Sequence, residues 1–222
     1  MLLMKAWMET RWRIVGLAVY LLIALGLNYR NPASTGVLTT AWFMLIFVAI
    51  LVGGSGVNSQ APLGLSEGIA GSTQFTISLP VSRLRLLAIR AAVGLVETAA
   101  VTALTAVLIW ALFPGMRGAT TPADFGRLVL TTILFLTAPC CAHVFFSTWS
   151  EEPFSLAYAG GSVILLLLVC HRLTPGVDIV RAFGDASPIK THQFPWSQLA
   201  TSVIAAVILL LAAGLVVRRR EY

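Results

Sequence analysis

The side chains of this chain that could do chemistry are few and scattered. Glu97 stands well inside a long apolar run, where an ionisable group is costly in lipid and is a functional candidate by default. It could order a contact between helices or carry a coupling proton. His143 lies near the adjacent Cys140 and Cys141, and Glu151 and Glu152 follow about two helical turns later. A membrane-embedded enzyme acting on lipid would need clustered carboxylates, histidines or cysteines near an interface, and this set is thin for that purpose. Cys140, Cys141 and Cys170 have neither metal-ligand spacing nor an even disulfide framework, so they read as small apolar residues within helices. His143 reads as a polar contact to a neighbouring helix rather than a metal ligand. "GGSGVNSQAPLG", Gly53 to Gly64, has glycines but no Gly-Lys-Ser or Gly-Lys-Thr ending, so the phosphate cradle of an ATP site is missing. No catalytic, cofactor or metal residue is assigned.

The elements that must position these residues are membrane helices. Hydrophobic residues make up 58% of the 222 and charged residues 11%, against roughly a quarter charged in soluble domains. Six apolar segments are expected, near 14–28, 37–57, 86–113, 127–149, 156–173 and 197–217. Each approaches the roughly 20 residues that cross a bilayer as a helix. The first also suits the length of a leader's hydrophobic region. Leu3, Met4, Trp7, Met8 and Trp12, however, fall on one helical side and Lys5, Glu9 and Arg13 on the other. That pattern predicts an interfacial helix anchored by Trp7 and Trp12 and leading into a span. Pro139 should kink the fourth span and free the carbonyl near Phe135.

Six spans put both termini on one side. With the termini inside, nine basic residues are cytoplasmic (Lys5, Arg11, Arg13, Arg83, Arg85, Arg90 and Arg218 to Arg220) and six are outside (Arg30, Arg117, Arg127, Arg172, Arg181 and Lys190). The inner ones cluster at span ends, which orients insertion. The net charge of +6 then needs no nucleic acid as partner. The expected architecture is an all-α polytopic membrane protein of one domain over 1–222. It has an interfacial helix at 1–13, spans 1 and 2 in 14–57, a cytoplasmic loop at 58–85, spans 3 to 6 in 86–217 and a cytoplasmic tail at 218–222. Between Leu173 and Trp196, Val177, Val180 and Phe183 predict a small helix with one apolar face. No internal repeat is visible, which removes support for an inverted-repeat carrier.

The longest inner loop contains "FTISLPVSR", Phe75 to Arg83. Pro80 disfavours helical geometry at Leu79, so a short helix should end there, and Ser82 can cap the next one. Phe75 and Leu79 fall together at i, i+4, with Ile69 and Thr76 nearby. The alternative is that this piece rests on lipid headgroups, with Arg83 on phosphate.

"EGIAGSTQFTISLPVSRLRLLAIRA", Glu67 to Ala91, resembles the permease subunits of ATP-binding cassette exporters of the second type: an acidic residue, a small pair, a leucine-bearing stretch, then Leu-Pro-Val-Ser-Arg leading into the third span. "DASPI", Asp185 to Ile189, is similar to a Ser-Pro element of that family's outer loop. The resemblance implies a coupling helix between spans 2 and 3, with Ile69, Phe75, Leu79, Pro80 and Arg83 seated in a groove of a separate ATPase subunit. ATP and magnesium would then belong to that partner. It further implies a second permease copy or paralogue, membrane lipid around the dimer, and a bacterial inner (cytoplasmic) membrane. Gln74 departs from the family, which often has an acidic residue there. The expected function is export permease; a lipid-modifying membrane enzyme and an ion-coupled carrier using Glu97 are the alternatives.

Overall fold

The computed structural model describes residues 34–53, 82–150, 154–173, 179–183 and 186–219, together with Val15, Gly16, Val19 and Gly26. The interfacial helix with Trp7 and Trp12, all of the first expected span but these four residues, the loop through Ile69, Phe75, Leu79 and Pro80, and the tail from 220 lie outside the described residues.

Among the described residues seven α-helices have both ends defined: α1 (Ser34–Gly53), α2 (Arg83–Leu112), α3 (Pro114–Ala119), α4 (Pro122–Ser147), α5 (Phe154–Leu173), α6 (Pro188–Thr191) and α7 (Trp196–Arg219), with a 3-10 turn at Ile179–Phe183. Local chemistry sets several ends. Ser82 is extended and its hydroxyl accepts from Arg85 N, which starts α2 where the sequence predicted. Thr121 does the same for α4 toward Asp124 N, with Pro122 at the first position. α4 therefore begins ahead of the expected residue 127, because Thr-Pro-Ala-Asp is a helix start with its own donors and acceptors.

The expectation of six spans is not met. Among the described residues three helices are long and apolar enough to cross a membrane, namely Leu84–Leu112 within α2, α4 and α7. The other apolar stretches, Met44–Gly53 in α1 and Phe154–Val169 in α5, count between 10 and 17 residues. The physical reason is length: a helix needs about 20 apolar residues to cross a bilayer, and these two stretches fall short of it. In α1, Leu45, Ile46, Val48, Ala49, Ile50 and Val52 are buried against protein, and Phe47 alone of the large residues there is exposed. In α5 the apolar run stops ahead of His171 and Arg172.

α4 is the central helix. It packs on α1, α2, α5 and α7, and Ala41, Ile109, Phe113 and Phe125 close one end of the bundle. Leu87, Ala91, Val144 and Ala213 close the other, and Trp42, Val48, Phe135, Leu136, Ala159 and Val163 fill the middle. These contacts make α1, α4 and α7 parallel and α2 antiparallel to them, while α5 carries the chain back from the end of α4 toward the start of α7. The 3-10 turn sets Phe183 against Trp42 (4.1 Å between ring centres) and Phe135 (5.7 Å). Of the predicted small helix, Val177 lies outside the described residues, and Ile179–Phe183 forms a five-residue 3-10 turn whose Phe183 packs against the core. The outward faces of α2, α5 and α7 carry exposed Val96, Val107, Ile164, Leu165, Ile208 and Leu211, as a lipid-facing surface should. The chain is a multi-pass, all-helical membrane protein.

Candidate functional site

The first candidate is the start of α2. The cap at Ser82 joins the loop directly to a 30-residue helix, about 45 Å long at 1.5 Å per residue. Arg83 opens this helix, and its side chain lies outside the described residues.

The second candidate is the polar interior of α2 and α4. Glu97 is 6% exposed, so it faces the bundle rather than lipid. It lies one turn beyond Gly94, where three helices meet. A Cβ placed on Gly94 would sit 3.1 Å from Gly53 Cα, and one on Gly53 would sit 2.9 Å from Cys140 Cα and Sγ. Only residues without bulk allow α1, α2 and α4 to approach this closely. Cys140 and Cys141 are free and buried. Arg90 lies two turns back along α2. Thr98, Thr102 and Thr105 are buried at i, i+4, i+7, but each hydroxyl donates to a carbonyl of its own helix: Gly94, Thr98 and Val101 at 2.7–2.8 Å. That arrangement hides hydroxyls inside a helix and leaves no row of donors for a ligand. His143 is fully buried with Nε2 at 3.4 Å from Ser155 Oγ on α5, the neighbouring-helix contact that its position suggested. Among the described residues no group of three or more His, Cys, Asp or Glu side chains could hold a metal ion.

The third candidate escaped sequence reasoning. Asp124, 3% exposed, accepts from Thr121 Oγ1 at 2.7 Å, from Arg127 Nη1 at 2.6 Å and from His192 Nδ1 at 2.6 Å. Arg127 also donates to the His192 carbonyl at 2.9 Å. His192 is the one described non-glycine residue with positive φ, 55°, and ends α6. Both carboxylate oxygens are engaged by protein groups, so the cluster acts as a staple between α4 and the connection leading into α7. The Thr121-to-Asp124 spacing was a readable capping signal. His192, 68 residues away, had none.

The staple makes a measurable prediction. Asp124→Asn should raise amide hydrogen exchange at Lys190, Thr191 and His192, whose N–H groups bond back to Ser187 and Pro188. The increase should be roughly tenfold, the scale set by losing one charge-assisted hydrogen bond. Exchange around Val144 and Ala213, at the opposite end, should not change.

Helices of this length and apolarity, a buried polar interior and a connecting segment stapled to one end define a polytopic membrane protein, without a catalytic constellation among the described residues. Comparison with protein-family profiles, with curated proteins and with solved structures finds no match to this chain.

Proposed function

We propose that the chain is the permease subunit of an ATP-binding cassette exporter, driven by a separate ATPase subunit and paired with a second permease. The observation that carries this reading is the join at Ser82. The Leu-Pro-Val-Ser-Arg motif runs straight into a capped helix that crosses the molecule. A short helix held ahead of that cap, with Phe75 and Leu79 on one side, would push on α2 as a unit, since packed elements move rigidly between discrete arrangements. ATP and magnesium would be bound by the partner. Under this reading the end bearing Arg85, Arg90, Arg218 and Arg219 would face the cytoplasm at a bacterial inner membrane, since basic residues at helix ends are retained inside. The substrate would be a drug, lipid-like or other small molecule.

The test is pull-down of the intact protein from membranes, read as recovery of an ATP-binding cassette ATPase subunit with it. Phe75→Ala should weaken recovery, and Leu79→Asp should abolish it, because a charge buried without a partner at a packed contact costs several kcal/mol, roughly 2–7. Unchanged recovery with both variants would rule out the coupling role and favour a loop resting on headgroups. The burial of Glu97 keeps a second reading, an ion-coupled carrier. Under the exporter reading Glu97→Gln should leave transport largely intact and ATP depletion should stop it. Export that survives ATP depletion, follows the proton gradient and is lost in Glu97→Gln would establish the carrier instead.

A further inference from the structure

α2 begins where α7 ends, and the two helices touch there: a Cβ on Gly214 would lie 3.4 Å from Leu84 Cδ1. Arg85 adjoins Leu84, Arg218 lies one turn beyond Gly214, and Arg219 follows it; all three are exposed. Among the described residues no carboxylate occupies the first turn of α2 or the last turn of α7 to balance them. On α2 the cation also stands at a helix N-terminus, where the macrodipole disfavours positive charge. An anion between the two helix ends would relieve both conditions.

The surface beside the arginines says what kind of anion. Ile204, Ile208, Leu211 and Leu215 lie at i, i+4, i+7, i+11 on α7, each 58–65% exposed, and the stripe runs out onto Arg219 one turn beyond Leu215. A long apolar track ending on guanidinium groups matches a molecule with acyl chains and an anionic head. The same end stands at headgroup level. Phe145 packs against the cluster beneath the arginines and meets Trp149 at 6.3 Å, and exposed Trp149 stacks on Tyr158 at 5.9 Å. Trp and Tyr gather where membrane meets water.

We propose that the α2–α7 junction binds an anionic phospholipid, with its phosphate on Arg85, Arg218 and Arg219 and its chains along the Ile204–Leu215 stripe. Guanidinium forks suit phosphate oxygens, and basic residues between helix ends suit anionic head groups. The site is independent of the exporter reading, since any multi-pass protein with this junction would have it.

Native mass spectrometry of the detergent-purified full chain, titrated with phosphatidylglycerol and separately with phosphatidylcholine, reads the site directly. The wild type should retain phosphatidylglycerol preferentially. Arg85→Gln/Arg218→Gln/Arg219→Gln should weaken that retention about fivefold per arginine. Arg117→Gln/Arg172→Gln/Lys190→Gln, an equivalent neutralisation of three exposed residues elsewhere in the fold, should leave it unchanged. If the triple variant does not accumulate, Arg219→Gln alone carries the comparison. Equal retention of the two lipids, equal loss with the control variant, full displacement by millimolar inorganic phosphate, or a second copy of the chain on this face in place of lipid would each overturn the proposal.

Discussion

Gly53→Ala is expected to lower the melting temperature of the detergent-purified protein by roughly 10 °C, the equivalent of about 3 kcal/mol for a chain of this size. The added methyl carbon would meet the Cys140 carbonyl oxygen in close collision and Cys140 Cα and Sγ at 2.9 Å. Two of those three atoms are backbone, so no rotamer change relieves the clash, and α1 must move away from α4. α1 supplies much of the buried middle of the bundle, including Val48, Ala49 and Val52, so this displacement loosens packing well beyond Gly53. Gly94→Ala should cost less, because its nearest neighbours, Gly53 Cα and O, lie at 3.1 Å and need to yield only a few tenths of an ångström. Gly126→Ala, Gly160→Ala and Gly161→Ala meet nothing within 4 Å and should be neutral or mildly stabilising through helix propensity. Thermal unfolding of the five variants checks the ranking. A flat series would show that α1, α2 and α4 do not meet at these glycines.

The second large effect concerns a carbonyl that the chain itself orphans. Pro139 has no N–H, so the Phe135 carbonyl inside α4 loses its i+4 donor. Ser202 Oγ of α7 donates to that carbonyl at 2.8 Å in a buried contact. Ser202→Ala therefore leaves a buried acceptor unsatisfied, at a cost of about 1–2 kcal/mol, within the range found for hydrogen bonds between membrane helices. In a Pro139→Ala background residue 139 regains its N–H and can serve Phe135 from within α4. Ser202→Ala should then cost almost nothing, and a double-mutant cycle should give a coupling of about 1 kcal/mol. Additive losses would mean that the Ser202 hydroxyl does not replace the missing backbone donor.

Much of this protein was readable from residues close together in the chain. The helices near 86–113, 127–149 and 197–217 appear as Arg83–Leu112, Pro122–Ser147 and Trp196–Arg219. Long apolar runs can satisfy their backbone in lipid only as helices, and caps such as Ser82 act within four residues. The orphaned Phe135 carbonyl was foreseeable for the same reason, since a proline removes a bond at a fixed offset. The identity of its donor was not, because Ser202 is 67 residues away and only the approach of α7 to α4 selects it. Asp124 announced a helix start, but its partnership with His192 exists only because the connection after α6 folds back over α4. The expected count of six spans failed on length, since the apolar stretches Met44–Gly53 and Phe154–Val169 are shorter than a bilayer-crossing helix. Hydropathy reports that Leu45 to Val52 avoid water, and tertiary packing alone decides that they avoid it against protein rather than against lipid.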